Sequence, residues 1–296
     1  MKVLISGSSG FVGSALVKKM RDLKHEVFRL VRKKEKLQKD EIYWNPEKLE
    51  IDLKKLENFN AVVHLAGENI LGRWTEAKKK KIRDSRVKGT QFLSESLAQL
   101  SKPPASLLCS SAIGFYGNRG EETLNESSPP GNGFLADVCQ EWEAASQAAS
   151  KSGIRVIHYR IGLVLSEEGG ALAKMLPLFK LGLGGKLGDG QQWMSWIHLE
   201  DLLSGILFIL ESPSLSQAVN AVSPHPVRNQ EFTQCLAESL HRPAFFTVPE
   251  FALKLVTGEM ADEALLASAK VEAQKLLQTD FKFKYPHLFE ALRDMI

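Results

Sequence analysis

Short apolar runs alternate along this chain with longer segments whose apolar positions recur at helical spacing. That alternation predicts a parallel sheet with crossover helices. KVLIS at 2–6 is a first strand ending in turn residues, and Val12, Leu16, Met20 and Leu23 after it fall near one face of a helix. EVFRLVR at 26–32 predicts a second strand and AVVHLAG at 61–67 a third. The third is apolar throughout, as a strand covered on both faces should be. SLLCSSA (106–112), IRVIHYR (154–160) and VNAVS (219–223) continue the sheet, with helices near 75–100 and 134–152. Beyond residue 223 the pattern turns helical. HPVRNQEFTQCLAESLH, VPEFALKLVTG and DEALLASAKVEAQKLLQT each read as a helix, separated by Pro and Gly, and a last short helix is predicted from near Pro286. The fold class is therefore α/β: a doubly wound parallel sheet over residues 1–223, with substrate-side insertions near 165–198, and a small, mainly helical C-terminal region over 224–296.

Composition narrows the function classes more than the fold. The 296 residues are 44% apolar and 25% charged, as in ordinary soluble globular proteins. With 38 basic against 35 acidic residues the net charge is +3, which points to neither nucleic acid nor a membrane surface as partner. The densest basic run, Lys78 to Lys81, reads as the solvated face of a helix. Three scattered cysteines (Cys109, Cys139 and Cys235) form no Cys-x-x-Cys pair, so neither a disulfide framework nor a thiolate metal site is expected. No His/Cys/Asp cluster has metal spacing, and no metal is expected. The opening MKVLISGSSGFVGSALV reads as strand and turn rather than signal peptide, and no apolar run is long enough for a bilayer. The expectation is a reduced, cytoplasmic protein, with an organelle address left open.

Candidate chemistry begins at Gly7-Ser8-Ser9-Gly10-Phe11-Val12-Gly13, between the first strand and the first helix. Glycines there allow a tight turn, close approach of a pyrophosphate to the backbone, and close packing of helix on strand. The helix N-terminus offers free N–H groups and partial positive charge to phosphates. A packing-only turn is the plain alternative. At the tip of the second strand an NAD enzyme carries Asp or Glu for the ribose 2′-hydroxyl. Here the strand ends Val31-Arg32-Lys33-Lys34. A guanidinium suits a 2′-phosphate, so NADP(H) is favoured over NAD, with an ordinary surface arginine as the alternative.

The Gly-x-x-Gly-x-x-Gly spacing resembles the Rossmann-type short-chain dehydrogenase/reductase superfamily, especially its extended, epimerase-like branch. His64-Leu65-Ala66-Gly67-Glu68-Asn69, Ile82 to Thr90, Trp142-Glu143, Gly182 to Gly190, Trp196-Ile197-His198 with Asp201, and FKFKYPHLFEAL extend that resemblance over the whole chain. Together they are similar to the atypical extended members called "epimerase family", or nucleoside-diphosphate-sugar epimerase-like, proteins with their own small C-terminal domain. The resemblance implies Leu65, Ala66, Gly67 and Arg86 as cofactor contacts, Val31 and Arg32 at the adenosine end, and Leu163 near the nicotinamide. Plain core packing for Leu65 and Ala66, and a surface pair of Arg86 with Asp84 or Glu68, stand as alternatives. Extended members often pair through two helices, so a homodimer is one expected assembly.

The resemblance breaks at the chemistry. Short-chain dehydrogenases use Ser, Tyr and Lys together: tyrosine as acid/base, lysine to lower its pKa and hold the ribose, serine to orient the substrate oxygen. Ser110 and Ser111 close the fourth strand where the serine belongs. The helix that should carry Tyr-x-x-x-Lys reads Phe134-Leu135-Ala136-Asp137-Val138-Cys139-Gln140-Glu141-Trp142, with Leu135 and Cys139 near the two lost positions. All four tyrosines, Tyr43, Tyr116, Tyr159 and Tyr285, lack a lysine four residues on. Ser111 is then the candidate for orienting a substrate oxygen and Tyr116 the remaining candidate for the proton. His198 reads as a structural histidine, Asp201 as a residue at a helix start, and Asp137 with Glu141 as a solvated i, i+4 pair. The expected function is an NADP(H)-binding, epimerase-like oxidoreductase on a small carbonyl or sugar-like substrate. The alternative is a non-catalytic NADPH-binding sensor or scaffold.

Overall fold

The computed structural model describes residues 1–296. In chain order the strands are β1 (Lys2–Ser6), β2 (Glu26–Val31), β3 (Glu41–Asn45), β4 (Glu50–Ile51), β5 (Ala61–His64), β6 (Ser106–Ala112), β7 (Thr123–Leu124), β8 (Arg155–Ile161), β9 (Leu163–Leu165), β10 (Gly185–Leu187), β11 (Trp193–Met194), β12 (Trp196–His198), β13 (Gln217–Ala221), β14 (Val227–Arg228), β15 (Phe246–Val248) and β16 (Lys270–Val271). The helices are α1 (Phe11–Asp22), α2 (Glu76–Ala98), α3 (Phe134–Ala144), α4 (Gln147–Lys151), α5 (Gly170–Lys180), α6 (Leu199–Glu211), α7 (Asn229–Leu240), α8 (Glu250–Thr257), α9 (Gln274–Leu277) and α10 (Leu288–Met295).

Eight strands form one sheet in the order β13-β8-β6-β5-β1-β2-β3-β4, parallel except for the β3–β4 edge. Both faces are buried. Val3 and Ile5 of β1 point toward α1 and α6, packing with Leu16, Met20, Leu202 and Ile206. Leu4 points the other way, into a cluster with Leu93 and Leu97 of α2 and Ala149 of α4. Successive strand side chains alternate faces, so a sheet covered twice needs apolar residues at consecutive positions. Each fully buried Leu or Ile contributes about 1.5–3 kcal/mol.

Three details depart from the sequence pattern. Glu41–Asn45 is a strand that alternates polar and apolar residues and pairs with β2 near the sheet edge. Leu23 is exposed at the C-terminal end of α1 and leaves its apolar face to Leu16, Val17 and Met20. DEALLASAKVEAQKLLQT is not one helix. It breaks into a π-helical turn at Ala261–Leu265, the strand β16, and the single turn α9. Tertiary pairing overrides helical propensity here: β16 pairs with β7, and the Ser268 hydroxyl donates to the Gly120 carbonyl at 2.8 Å.

The C-terminal third is woven into the insertions that precede it. β14 pairs with β11, and β15 with β10. Asp201, in the first turn of α6, accepts the backbone N–H groups of Lys284 and Tyr285 at 2.7 and 2.9 Å.

Candidate functional site

The glycine turn sits at the C-terminal end of β1, in the middle of the sheet. Gly7 has φ +67°, and a Cβ there would stand 2.6 Å from the Leu65 carbonyl carbon. A Cβ on Gly13 would run into the Gly7 carbonyl oxygen. These two glycines close the turn onto β5 and α1. Gly10 differs: its φ of −78° suits any residue, and its Cβ position meets only the Gly7 oxygen, at 3.2 Å. Gly10 is also the N-cap of α1, and no side chain caps that helix. A concave turn of small residues with uncapped N–H groups is suited to a phosphate group.

Residues from neighbouring strand ends surround this turn. Val31 closes β2, and Arg32, just beyond it, is exposed and forms no ion pair. Leu65 and Ala66 follow β5 and are half-buried, each packed against one of the two cores. Gly67 is open to solvent, and the Arg86 guanidinium lies under it, 3.4 Å from where a Cβ would stand. Arg86 Nη1 donates to the carbonyls of Glu68 and Ile82 at 3.0 and 3.2 Å, so neither proposed pairing with a carboxylate forms. The same guanidinium stacks 5.1 Å from the Trp142 ring of α3. Glu68 pairs instead with Lys78, which holds its carboxyl below the usual range. Phe11 packs under Gly169 and Gly170 at the start of α5, and Leu163 opens β9 beside Trp196. Val12 is half-buried against the core below.

Ser111 stands at the end of β6, where the sequence predicts it, and Tyr116 ends the turn that follows. Ser111 is buried and donates to Glu143 Oε1 at 2.7 Å. Tyr116 is fully buried; its hydroxyl donates to Asn220 Oδ1 at 2.8 Å and accepts from Arg160 Nη1 at 3.0 Å. Burial pushes its pKa up. The hydroxyl expected to deliver a proton is thus engaged by two protein partners. Leu135 and Cys139 of α3 face the turn after β6, 3.3 and 3.9 Å from a Cβ on Gly114. Burial pushes the Cys139 thiol up to about 12, so it is no acid/base group at neutral pH.

The polar machinery that is present was only half legible. Glu143 and Arg160 form a two-pronged ion pair, and His158 Nε2 lies 2.8 Å from the Ser146 hydroxyl beside it. An arginine near the end of a doubly covered strand signals a buried partner, and that cue could have found the pair. A second chain runs under the glycine turn: Ser6 Oγ to His64 Nδ1 at 2.6 Å, His64 Nε2 to Thr90 Oγ1 at 3.0 Å, and Trp142 Nε1 donating to Thr90 Oγ1 at 2.9 Å. Full burial lowers the His64 pKa to about 4 and keeps the ring neutral. The C-terminal region supplies the cap of α3, as Glu263 accepts the N–H groups of Phe134 and Leu135 at 3.2 and 3.1 Å. Nothing in local sequence spacing links residues so far apart. His198 is structural, its Nδ1 accepting the Glu200 N–H at 3.1 Å at the start of α6. Glu141 lies 3.3 Å from Arg83 of α2.

Known proteins are similar to this chain in sequence and fold. Residues 3–222 match the family model described as "NAD dependent epimerase/dehydratase family", and residues 248–295 match a domain of unknown function, DUF1731. An epimerase family protein of Mycobacterium bovis, Mb2239, is 42% identical over 98% of this chain and 96% of its own length. The Arabidopsis thaliana homologue of SDR39U1, described as chloroplastic, is 37% identical over 99% of this chain and 86% of its own. The crystal structure of human epimerase family protein SDR39U1 with NADPH superposes with a TM-score of 0.92 at 33% identity, covering 100% of this chain and 99% of that one. No helix is long and apolar enough to cross a membrane. By sequence match over three quarters of its length and by fold, the chain belongs to the NAD-dependent epimerase/dehydratase family.

Proposed function

We propose that this protein binds NADP(H) and acts as an epimerase-like oxidoreductase on a small carbonyl or sugar-like substrate, without the family's tyrosine–lysine couple. The observation that carries the cofactor choice is Arg32: an exposed, unpaired guanidinium one residue past β2, where a carboxylate would select NAD. The NADPH in the human relative's structure supports the same reading. Gly7, Gly10, Gly13 and the N-terminus of α1, with Phe11 and Val12, would hold the pyrophosphate. Val31 and Arg32 would hold the adenosine end, Leu65, Ala66 and Gly67 would line the ribose side, and Leu163 would stand by the nicotinamide. Arg86 sets a cation against α3, close to Cys139, where the lost lysine would have stood. When bound, the nicotinamide supplies or accepts a hydride.

The chain's own part is binding, orientation and exclusion of water. Loss of a positioned acid/base costs about 10²–10⁴ in rate. Positioning survives and alone provides a large acceleration. Ser111 and Tyr116 serve the site through Glu143 and Arg160 rather than by touching substrate. Titration calorimetry tests the cofactor reading. NADPH is expected to bind about ten- to hundredfold more tightly than NADH, with most of the gap lost in Arg32→Ala, because a charge-assisted phosphate contact contributes about 1.5–3 kcal/mol. Equal affinities in the wild type would sink it.

A second reading, an NADPH-binding sensor without turnover, is favoured by the commitment of both candidate hydroxyls to protein partners. Screening carbonyl compounds and nucleotide sugars for NADPH consumption or isomerisation separates the two. A complete lack of either, with NADPH binding intact, selects the sensor.

A further inference from the structure

The chain carries fourteen large apolar side chains that are exposed, and eight of them fall within 178–183 and 245–256. Scattered exposed leucines are ordinary, but a contiguous patch is not. Here the two segments meet. β10 pairs with β15 in register Gly185↔Phe246 to Leu187↔Val248. Arg242 Nε donates to the Lys180 carbonyl at 3.0 Å, and a Cβ on Gly182 would rest 3.4 Å from Pro243. Leu181, 72% exposed, and Phe245, 89% exposed, therefore belong to one surface. α8 extends it. Phe251 and Leu255 stand i, i+4 on one face at 74% and 73% exposure, and α8 buries none of its side chains. So short an amphipathic helix depends on packing its apolar face, and this face has nothing against it.

Charge identifies what covers it. Residues 170–187 contain three lysines (Lys174, Lys180 and Lys186) and no acid. Residues 242–258 contain Arg242 and Lys254 against the single acid Glu250. Five cations against one carboxylate give these two segments +4, more than the +3 of the whole chain. Of these, only Lys254 has an acidic partner, Asp262. A second copy of the chain would bring the same excess of positive charge against itself. Exposed phenylalanine and leucine on segments that also carry unpaired cations match an anionic lipid surface, where aromatic and aliphatic groups enter the interface and cations meet the headgroups.

We propose that the face built from the end of α5, the β10–β15 pair and α8 docks this protein peripherally on anionic membranes. The chain's near-neutral total conceals this, because the fold gathers the charge from two distant segments. Co-sedimentation with vesicles tests it. The full-length protein is expected to partition onto vesicles of phosphatidylglycerol and phosphatidylcholine at least roughly tenfold better than onto phosphatidylcholine alone, and to be released by high salt. Phe245→Ser with Phe251→Ser, and separately Lys174→Glu with Lys180→Glu, should each lower that partition by roughly tenfold or more while leaving the unfolding transition unchanged, since every altered side chain is exposed. No binding to phosphatidylglycerol vesicles would overturn the proposal. So would binding that both double variants retain, or a dimer in analytical ultracentrifugation that Phe245→Ser dissolves in the absence of lipid binding.

Discussion

Glu143 and Arg160 face each other across the α3–β8 interface as a bidentate ion pair, Nε to Oε1 and Nη2 to Oε2 both at 2.8 Å. Arg160 also lies 3.5 Å from the Phe115 ring centroid, so its charge is wrapped on two sides. Removing one partner strands the other charge in a nearly dry site. Glu143→Ala is expected to destabilise the protein by about 3–5 kcal/mol. Glu143→Ala combined with Arg160→Met should cost less than the two single changes summed. Urea unfolding of the three variants measures the coupling; strict additivity would show that the pair is not an energetic unit.

Tyr116 ties that pair to Asn220, whose side-chain N–H donates to the Glu272 carbonyl in the C-terminal region at 2.8 Å. Tyr116→Phe removes one hydroxyl and leaves both Arg160 Nη1 and Asn220 Oδ1 short of a partner. The expected cost is about 1–3 kcal/mol of stability, with NADPH affinity unchanged. A Tyr116→Phe protein of wild-type stability that loses turnover on an identified substrate would return Tyr116 to the reaction.

The main strands were legible because a doubly covered sheet demands apolar residues at consecutive positions, as in Val62 and Val63. The glycine turn was legible because Gly7 and Gly13 answer a local steric demand. Strand β3 escaped notice because it sits near the sheet edge and alternates polar with apolar residues, much as a loop does. The loss of Tyr-x-x-x-Lys was plain from residue identities alone. The buried network was not, because Glu143, Arg160, Tyr116 and Asn220 meet through tertiary contacts that no local period encodes.

His64 gives the protein a pH signature. Its folded pKa, about 4, lies below the ordinary 6.5 because burial disfavours the charged ring. As pH falls below 6.5 the unfolded chain takes up a proton that the folded protein refuses. Stability therefore falls from pH 6.5 down to about 4, by about 3 kcal/mol from this group, and this contribution then levels off. His64→Gln should be less stable at neutral pH, through the loss of the Ser6 and Thr90 contacts, and should show a shallower decline over that window. Guanidinium unfolding at half-unit pH steps compares the slopes; identical slopes would mean that His64 is charged in the folded state.

Gly10 and Gly13 separate binding from folding. A side chain at Gly13 must displace backbone, because its Cβ would overlap the Gly7 carbonyl oxygen where α1 leans on the turn. Gly13→Val is therefore expected to lose more than about 3 kcal/mol and to express poorly. At Gly10 the backbone already has an ordinary φ, and the single close neighbour, at 3.2 Å, needs a shift of only a few tenths of an ångström. Gly10→Val should keep its fold, because the added methyl groups project over the uncapped start of α1 rather than into the core. That is the space a pyrophosphate needs for contact with the helix N–H groups. NADPH affinity should fall at least roughly a hundredfold, since two or more charge-assisted hydrogen bonds are lost together. Thermal unfolding paired with NADPH titration distinguishes the two glycines. A Gly10→Val protein that binds NADPH normally would show that the phosphates lie elsewhere.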